Sequence, residues 1–223
     1  MNKKFTVINP FSLREFYQYE LTSSDQAIQS FEKLKPSNYS TLELTNKFDS
    51  LVNLFEQKKG KISSTITNEI GKTIRDTETE IDRAKITIES IRDARRTLSG
   101  DLLESQNYLT GENKFGIVRH APLGIVLAIT PFNFPVNLAL HKIIPALAMG
   151  NMVLFKPHPQ CFKSSSQLVE LLYESGFRPN DIQLICPSNE DMKSIIQHKK
   201  ISCISFTGGI KVAESISSNA SMK

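Results

Sequence analysis

From Lys114 onward, short apolar runs alternate with amphipathic segments, and this alternation limits most strongly how the chain can fold. The runs share a length typical of buried strands and lie at 124–129, 152–155, 182–186 and 201–206. Helices are predicted between them, near Asn137–Met149, Ser164–Ser175 and Glu190–His198, with a fourth after Gly209. Strands and helices in this order predict an α/β fold, an open parallel sheet with flanking helices.

The residues after the first two runs are candidate site residues, because such sheets bind ligands beyond the carboxyl ends of their strands. Asn133 stands between two prolines, where its side-chain amide can donate to a developing oxyanion; an ordinary turn is the commoner role. Lys156 follows the second run directly. A charge at that position indicates an anionic or hydroxylated ligand. The alternative is that the aliphatic part of the lysine side chain packs against the protein while its ammonium reaches water.

The fourth run ends in Phe206-Thr207-Gly208-Gly209, and a helix opens after it. Paired glycines let a backbone approach a pyrophosphate, whose charge a helix N-terminus favours. Glycine is also common in turns, and the Gly-x-Gly-x-x-Gly fingerprint is missing from the sequence. His158 lies between two prolines with no second histidine nearby, and it is interpreted as a surface loop residue.

Residues 23–100 show a helical pattern. Isoleucine recurs every four residues from Ile62 to Ile74, and an apolar stripe continues at spacings of three and four from Ile81 to Ile91. Gly71 is predicted to interrupt or end the first helix. Charged residues between the apolar positions, Glu80 among them, are expected on an outer face. No heptad persists, so packing against the second half is favoured over a coiled coil.

Charge and hydropathy exclude several classes of function. The net charge is +4, and the lysines are spread too thinly for a nucleic-acid footprint. No apolar run approaches the roughly 20 residues of a membrane-spanning helix. The N-terminus has no apolar stretch typical of a signal peptide, so a cytoplasmic location is expected.

The three cysteines, Cys161, Cys186 and Cys203, are widely spaced and form no Cys-x-x-Cys pair. This pattern predicts neither a disulfide framework nor a zinc site. Each is interpreted as a small packing residue, and Cys161 is the one expected to be open to solvent.

Several segments of the sequence resemble motifs of the aldehyde dehydrogenase family, and they occur in the family's order along the chain. Asn9-Pro10 and Glu69-Ile-Gly-Lys72 are similar to its early Asn-Pro pair and Glu-x-Gly-Lys. The more specific motifs follow, at Gly116–Gly124, Thr130–Pro135, Lys142–Asn151, Phe155–Pro157 and Ser205–Gly208. The resemblance covers nearly the whole chain.

The resemblance implies a role for each matching residue. Asn133 matches the asparagine that stabilises the oxyanion, and Lys156 matches the lysine that contacts the adenosine ribose. Gly208 and Gly209 match the turn beside the pyrophosphate. The remaining residues, which match positions beside the nicotinamide half or lining the same cleft, are Ile129, Thr130, Pro131, Phe206 and Thr207.

The family oxidises aldehydes with a cysteine thiolate, transfers hydride to nicotinamide, and hydrolyses the thioester with a glutamate as base. The resemblance places that cysteine and that glutamate beyond Lys223. The chain is therefore expected to be a truncated, N-terminal cofactor-binding part of an NAD(P)-dependent aldehyde dehydrogenase, inactive alone. The resemblance implies an N-terminal helical segment at 1–110, which packs on a dinucleotide-binding α/β domain at 111–223.

NAD and NADP both remain open as cofactors. Many NAD-preferring relatives carry a glutamate where Pro159 stands, and its loss tilts the expectation toward tolerance of NADP. The resemblance also implies a small aldehyde as substrate and a homo-oligomer for the full-length protein. The strand from Lys114 to His120 resembles part of the family's oligomerisation element, with apolar surface expected to be exposed.

Two alternatives from other classes stay open. One is a truncated, non-catalytic protein that still binds a dinucleotide, as a degraded gene product would. The other is a structural or partner-binding protein that uses the helical half.

Overall fold

The computed structural model describes residues 3–98, 100–104 and 115–220. Its strands within these ranges are β1 (Lys4–Ile8), β2 (Glu15–Glu20), β3 (Asp101–Glu104), β4 (Phe115–Val118), β5 (Ile125–Ile129), β6 (Met152–Lys156), β7 (Ile182–Leu184) and β8 (Ile201–Phe206). Its helices within them are α1 (Ser24–Lys33), α2 (Thr41–Ile70), α3 (Ile74–Ala94), α4 (Asn137–Ala148), α5 (Phe162–Glu174), α6 (Asn189–Ile196) and α7 (Ile210–Ala220).

The last four strands form one parallel sheet in the order β7-β6-β5-β8. The chain therefore builds outward from β5 to β6 and β7, and then crosses back to place β8 on the other side of β5. A crevice opens at such a reversal, beyond the carboxyl ends of the strands. The predicted fold, an open parallel sheet with flanking helices, is confirmed, and so are its four helices.

Strand β5 is buried along its whole length because both faces of the sheet are covered. Val126 and Ala128 belong to a core cluster shared with α2, α3, α4 and α5. Ile125, Leu127 and Ile129 belong to a second cluster shared with α1 and α6. Alternate residues of a strand point to opposite faces, so a strand covered on both faces must be apolar at every position.

Helices α2 and α3 form a hairpin on the face of the sheet that α4 and α5 cover. The predicted stripe packs there, and Ile62, Ile66 and Ile81 are fully buried. Ile74 departs from the prediction and is 49% exposed. Gly71 ends α2 in a left-handed conformation, with a φ of 73°, so the helical phase does not continue from α2 into α3.

The first residues form a hairpin that the sequence did not predict. Strands β1 and β2 pair antiparallel, and Val7 and Tyr19 pack with Cys186. The Tyr19 ring stacks on Phe162 at 4.0 Å between centroids. Its hydroxyl donates to the carbonyl oxygen of Pro159 at 3.0 Å. The hairpin therefore braces the segment that follows β6.

Strand β4 lies within the predicted strand at 114–120, and it pairs antiparallel with β3. The expected boundary between residues 110 and 111 lies outside the described residues, but the β3–β4 pair joins the two sides. Apolar side chains of this ribbon are exposed, at Leu102, Leu103, Phe115, Ile117 and Val118. Within the described residues, the helices are all too short or too polar to cross a membrane.

Candidate functional site at the carboxyl edge of the sheet

The predicted cofactor residues meet at the carboxyl edge of the sheet. Ile129 ends β5, and it lies in register with Lys156 of β6 on one side and Phe206 of β8 on the other. The pairing continues one step past the strands. The Thr130 amide donates to the carbonyl oxygen of Lys156 at 3.2 Å, and the Thr207 amide donates to that of Ile129 at 3.1 Å. The sheet therefore holds these backbones together.

Lys156 carries a charge that the described residues do not neutralise. Its side chain is half-buried at the end of β6, and burial lowers its pKa while Cys186 opposes that shift. Within the described residues the ammonium makes no hydrogen bond or ion pair. Beside it, Thr130 is buried and its hydroxyl has no partner in that part of the chain. Buried polar groups normally have partners, so the Lys156 ammonium, which lines the cleft, is suited to meet a ligand.

A cleft of about 340 Å³ opens above this edge, between α6 and α7. Ile129 and Lys156 form its floor. Its walls combine apolar and polar side chains, namely Asn189, Met192, Lys193, Ile196, Lys211, Val212, Ser215, Ile216 and Asn219. Apolar walls with a few convergent polar groups are typical of small-molecule sites. Sequence reasoning missed the wall residues, because α6 and α7 carry no motif that points to them.

Gly208 and Gly209 lead from β8 into α7 at the same edge. A Cβ atom at Gly208 would overlap the Phe206 ring, so any larger residue there would require the ring to move. Gly209 has open space around it, and its carbonyl oxygen accepts from the first-turn amides of α7. The backbone at Gly209 is thus exposed at a helix N-terminus, as an anion site requires.

Asn133 lies in the turn after β5, where Pro131 is partly buried and Asn133 itself is exposed. Its side-chain amide has no hydrogen-bond partner among the described residues, but its backbone is anchored. The Lys72 ammonium donates to the Asn133 carbonyl oxygen at 3.2 Å and lies 3.9 Å from the centroid of the Phe134 ring. The amide is therefore free while its backbone is held.

Glu80 completes that anchor, and its position corrects the sequence prediction. It was expected on an outer face, but it is 1% exposed. One carboxylate oxygen binds Lys72 at 2.7 Å, and the other accepts from the amides of Val136 and Asn137 at 2.9 and 3.2 Å. Those amides begin α4 and would otherwise lack partners. The packing of α3 against the start of α4 buries Glu80.

The cysteines are more deeply buried than the sequence predicts. Cys161 is fully buried, which contradicts its expected exposure, because its thiol packs near the Phe132 carbonyl oxygen at 3.6 Å. Cys186 is fully buried as well. Burial raises the pKa of both thiols. Cys203 is partly buried on β8. Half-buried His158 accepts from the Gln160 amide at 3.2 Å, beside the site and not within the cleft.

A larger cavity, of about 890 Å³, lies elsewhere, between the start of α2 and the end of α4. Arginines line part of it, including Arg95 and Arg119, but none of the predicted site residues does. Size alone therefore does not identify the site. The smaller cleft is the candidate because the strand-end residues converge on it.

The parallel sheet, its reversal at β5 and the cleft at its carboxyl edge define an open α/β domain of the Rossmann-like kind. The model of the aldehyde dehydrogenase family matches residues 1–223, and the chain belongs to this family.

Two of the curated relatives match over the whole chain. It is 36% identical to a sulfoacetaldehyde dehydrogenase of Neptuniibacter caesariensis, over 100% of this chain and 50% of the relative. It is 31% identical to a lactaldehyde dehydrogenase of Methanococcus maripaludis, over 100% of this chain and 49% of the relative. The chain thus spans about half the length of the curated relatives it matches.

Solved structures show the same fold. An NADP-dependent glyceraldehyde-3-phosphate dehydrogenase from Bacillus halodurans, complexed with NADP, superposes with a TM-score of 0.91 at 29% identity, over 98% of this chain and 47% of that one. A glyceraldehyde-3-phosphate dehydrogenase from Methanocaldococcus jannaschii, also complexed with NADP, superposes with a TM-score of 0.86 at 26% identity. The match covers 100% of this chain and 50% of that one.

Proposed function

We propose that residues 1–223 form the dinucleotide-binding part of an NAD(P)-dependent aldehyde dehydrogenase, which oxidises a small aldehyde to a carboxylic acid. The observation that carries this proposal is the cleft between α6 and α7, with the half-buried, unneutralised Lys156 at its floor. An ammonium so placed donates hydrogen bonds to ribose hydroxyls. The apolar walls supply a slot for a planar base.

The residues present fit a dinucleotide along the whole edge. Lys156 and the α6–α7 walls would hold the adenosine half, and the exposed backbone at Gly209 would meet the pyrophosphate. Phe206, Thr207 and the backbone of residues 129–131 would lie beside the nicotinamide half. When bound, the nicotinamide supplies the hydride acceptor of the reaction.

Asn133 is the residue of this chain that we assign to the chemical step. Its amide is exposed and unpaired within the described residues, while Lys72 holds its backbone. A side-chain amide on a held backbone can donate to the negative charge that develops on the aldehyde oxygen, and the fixed backbone limits the reorganisation needed as the charge forms. Asn133 is thus proposed as the oxyanion donor.

The nucleophile and the general base are proposed to lie outside residues 1–223. Burial raises the pKa of Cys161 and Cys186, so both stay protonated at neutral pH, and a protonated thiol is a poor nucleophile. Glu69 and Glu80 are buried and cap helices. A cysteine elsewhere in the full-length protein would form the thiohemiacetal, and a glutamate would activate water.

Titration of the 223-residue chain with NADH and NADPH tests this proposal. The chain has no tryptophan, so nicotinamide fluorescence reports the bound cofactor cleanly. We expect saturable binding and no oxidation of aldehydes by the chain alone. A chain that bound neither dinucleotide would contradict the cofactor role, and aldehyde oxidation by it would contradict the placement of the nucleophile.

The role of Asn133 is tested in the full-length protein that contains this chain. Asn133→Ala is expected to lower kcat by roughly a hundredfold, the usual cost of losing an oxyanion donor, and to leave dinucleotide affinity unchanged. Asn53→Ala, an exposed asparagine on α2, is the matched control and should change neither. An unchanged kcat in Asn133→Ala would remove this residue from the proposed mechanism.

A further inference from the structure

The cavity of about 890 Å³ lies at the amino edge of the parallel sheet, opposite to the cleft at its carboxyl edge. Arg119 and His120 line it on the approach to β5, and Met149 and Gly150 line it just before β6. The start of α2 and the residues that follow α3 complete the lining. Its volume is within the range of roughly 300 to 1,000 Å³ that is typical of small-molecule sites.

The charge that lines this cavity is mainly positive. Among the described residues, its charged side chains are Arg95, Arg96 and Arg119 and one carboxylate, that of Glu43. The Glu43 carboxylate accepts from the Ser40 amide at 2.7 Å, as part of the cap that begins α2. Three arginines against one carboxylate leave an excess of two positive charges. An anion is therefore the ligand that this lining favours.

Arg95 is partly buried and is held in place by two hydrogen bonds. Its Nε donates to the carbonyl oxygen of Ala148 at 2.8 Å, at the end of α4. Its Nη1 donates to the Thr41 hydroxyl at 3.1 Å, at the start of α2. A guanidinium has five N–H donors, so others remain available. Within the described residues no carboxylate pairs with Arg95, and its fixed position suits it to bind an anion from the cavity.

The two other arginines are free to move toward a ligand. Arg96 and Arg119 are exposed, and in the described part of the chain neither forms a hydrogen bond or an ion pair. The N-terminus of α2 also lines the cavity, at Thr41, and its dipole favours negative charge. The end of α4 would disfavour an anion, but Arg95 already binds its Ala148 carbonyl oxygen.

We propose that this cavity binds a small organic phosphate through the guanidinium groups of Arg95, Arg96 and Arg119. Arginine binds phosphate oxygens in bidentate pairs, and a phosphate monoester carries about −1.5 to −2 charges at neutral pH. That charge matches the excess on the lining. The buried side chains of Leu44 and Leu147 line the same cavity and supply an apolar surface for the carbon skeleton of the ligand.

The test titrates the 223-residue chain with glucose 6-phosphate, glucose and inorganic phosphate by isothermal titration calorimetry. The first two probes differ only in the phosphate. One variant combines Arg96→Gln with Arg119→Gln, two exposed positions whose substitution leaves the fold intact. A second variant, Arg95→Lys, keeps the charge but loses the planar fork. The matched control combines Arg75→Gln with Arg83→Gln, two exposed arginines of α3 outside the lining.

We expect glucose 6-phosphate to bind at least tenfold more tightly than glucose and more tightly than inorganic phosphate. The double variant should lower its affinity about tenfold, since exposed charges contribute roughly threefold each. Arg95→Lys should lower the affinity too, and the control should retain it. Added salt should weaken binding, because it screens exposed charges.

NADH separates this cavity from the cleft at the carboxyl edge. Glucose 6-phosphate should bind equally well with NADH present and in Lys156→Met. Displacement by NADH, or equal affinities in the double variant and the control, would place the phosphate elsewhere and overturn this inference. Binding of inorganic phosphate alone, or of no probe, would also overturn it. The proposed dinucleotide role is judged separately, by the fluorescence of bound NADH.

Discussion

The Lys72 ammonium lies 3.2 Å from the carbonyl oxygen of Asn133 and 2.7 Å from a carboxylate oxygen of Glu80. It therefore links the turn after β5 to the buried residue that caps α4. The amides that Glu80 caps, those of Val136 and Asn137, follow Asn133 by three and four residues, so one ion pair fixes both the turn and the start of α4. The backbone of Asn133 is fixed in this way, although its side chain is exposed.

A double-mutant cycle on Lys72 and Glu80 measures this link. Lys72→Met leaves the buried carboxylate without its cation and should lower the free energy of unfolding by about 2 kcal/mol. The same change in a Glu80→Gln background should cost less, with a coupling of about 1 kcal/mol or more, because no charge is stranded. Urea denaturation measures all four forms.

The control for that cycle is Lys58→Met. It removes the more exposed ion pair between Lys58 and Glu174 and should cost about 0.5 kcal/mol. Additive effects of the Lys72 and Glu80 substitutions would show that the two side chains are not coupled.

Lys156→Met is expected to weaken binding without weakening the fold. Burial lowers the pKa of Lys156, and within the described residues it has no partner, so its removal should leave the free energy of unfolding unchanged or raise it by about 1 kcal/mol. Affinity for NADH and NADPH should fall about tenfold alike, since a charged hydrogen bond to the ribose is lost. Lys200→Met is the control. Unchanged affinity would remove Lys156 from the site.

The buried carboxyl of Glu69 should make stability depend on pH. One oxygen accepts from the amides of Lys163 and Ser164, the other has no partner among the described residues, and burial raises its pKa from 4.5 to about 7. Between these values the unfolded chain releases a proton that the folded chain keeps. The contribution of Glu69 to stability is thus complete below pH 4.5 and is lost as the pH rises to about 7.

Glu69→Gln removes this titration. Its stability relative to the unmodified chain should rise by about 3 kcal/mol as the pH increases across that window, because each unit of pKa shift corresponds to about 1.4 kcal/mol. Urea denaturation at several pH values measures the difference. Glu170→Gln, on the exposed side of α5, should show no such trend. A constant difference for Glu69→Gln would mean that its carboxyl titrates normally.

Thiol modification in the folded chain should distinguish the three cysteines. Cys161 and Cys186 are buried with raised pKa values, and Cys203 is partly exposed. Ellman's reagent should therefore modify one thiol quickly in buffer and three in urea. Cys203→Ser should abolish the fast reaction, and Cys186→Ser should preserve it. A fast reaction that persists in Cys203→Ser would place another thiol at the surface.

The sequence could have revealed one element that was missed. In the first hairpin, Phe5 and Val7 alternate with polar residues, and so do Tyr17 and Tyr19. Such a period of two predicts strands. The alternation spans only a few residues in each strand, and the hairpin is held in place by the packing of Tyr19 against Phe162, which the sequence does not show.

The carboxyl edge of the sheet was determined by the sequence itself. Runs that are apolar at every position must be buried on both faces, and parallel strands bring their carboxyl ends to one edge, so Ile129, Lys156 and Phe206 had to meet. Tertiary structure alone decided that Glu80 is buried and that α6 and α7 form the walls of the cleft above Ile129 and Lys156. A charged residue on an amphipathic helix looks the same in sequence whether solvent or another helix covers it, and the distance between two helices is set by packing.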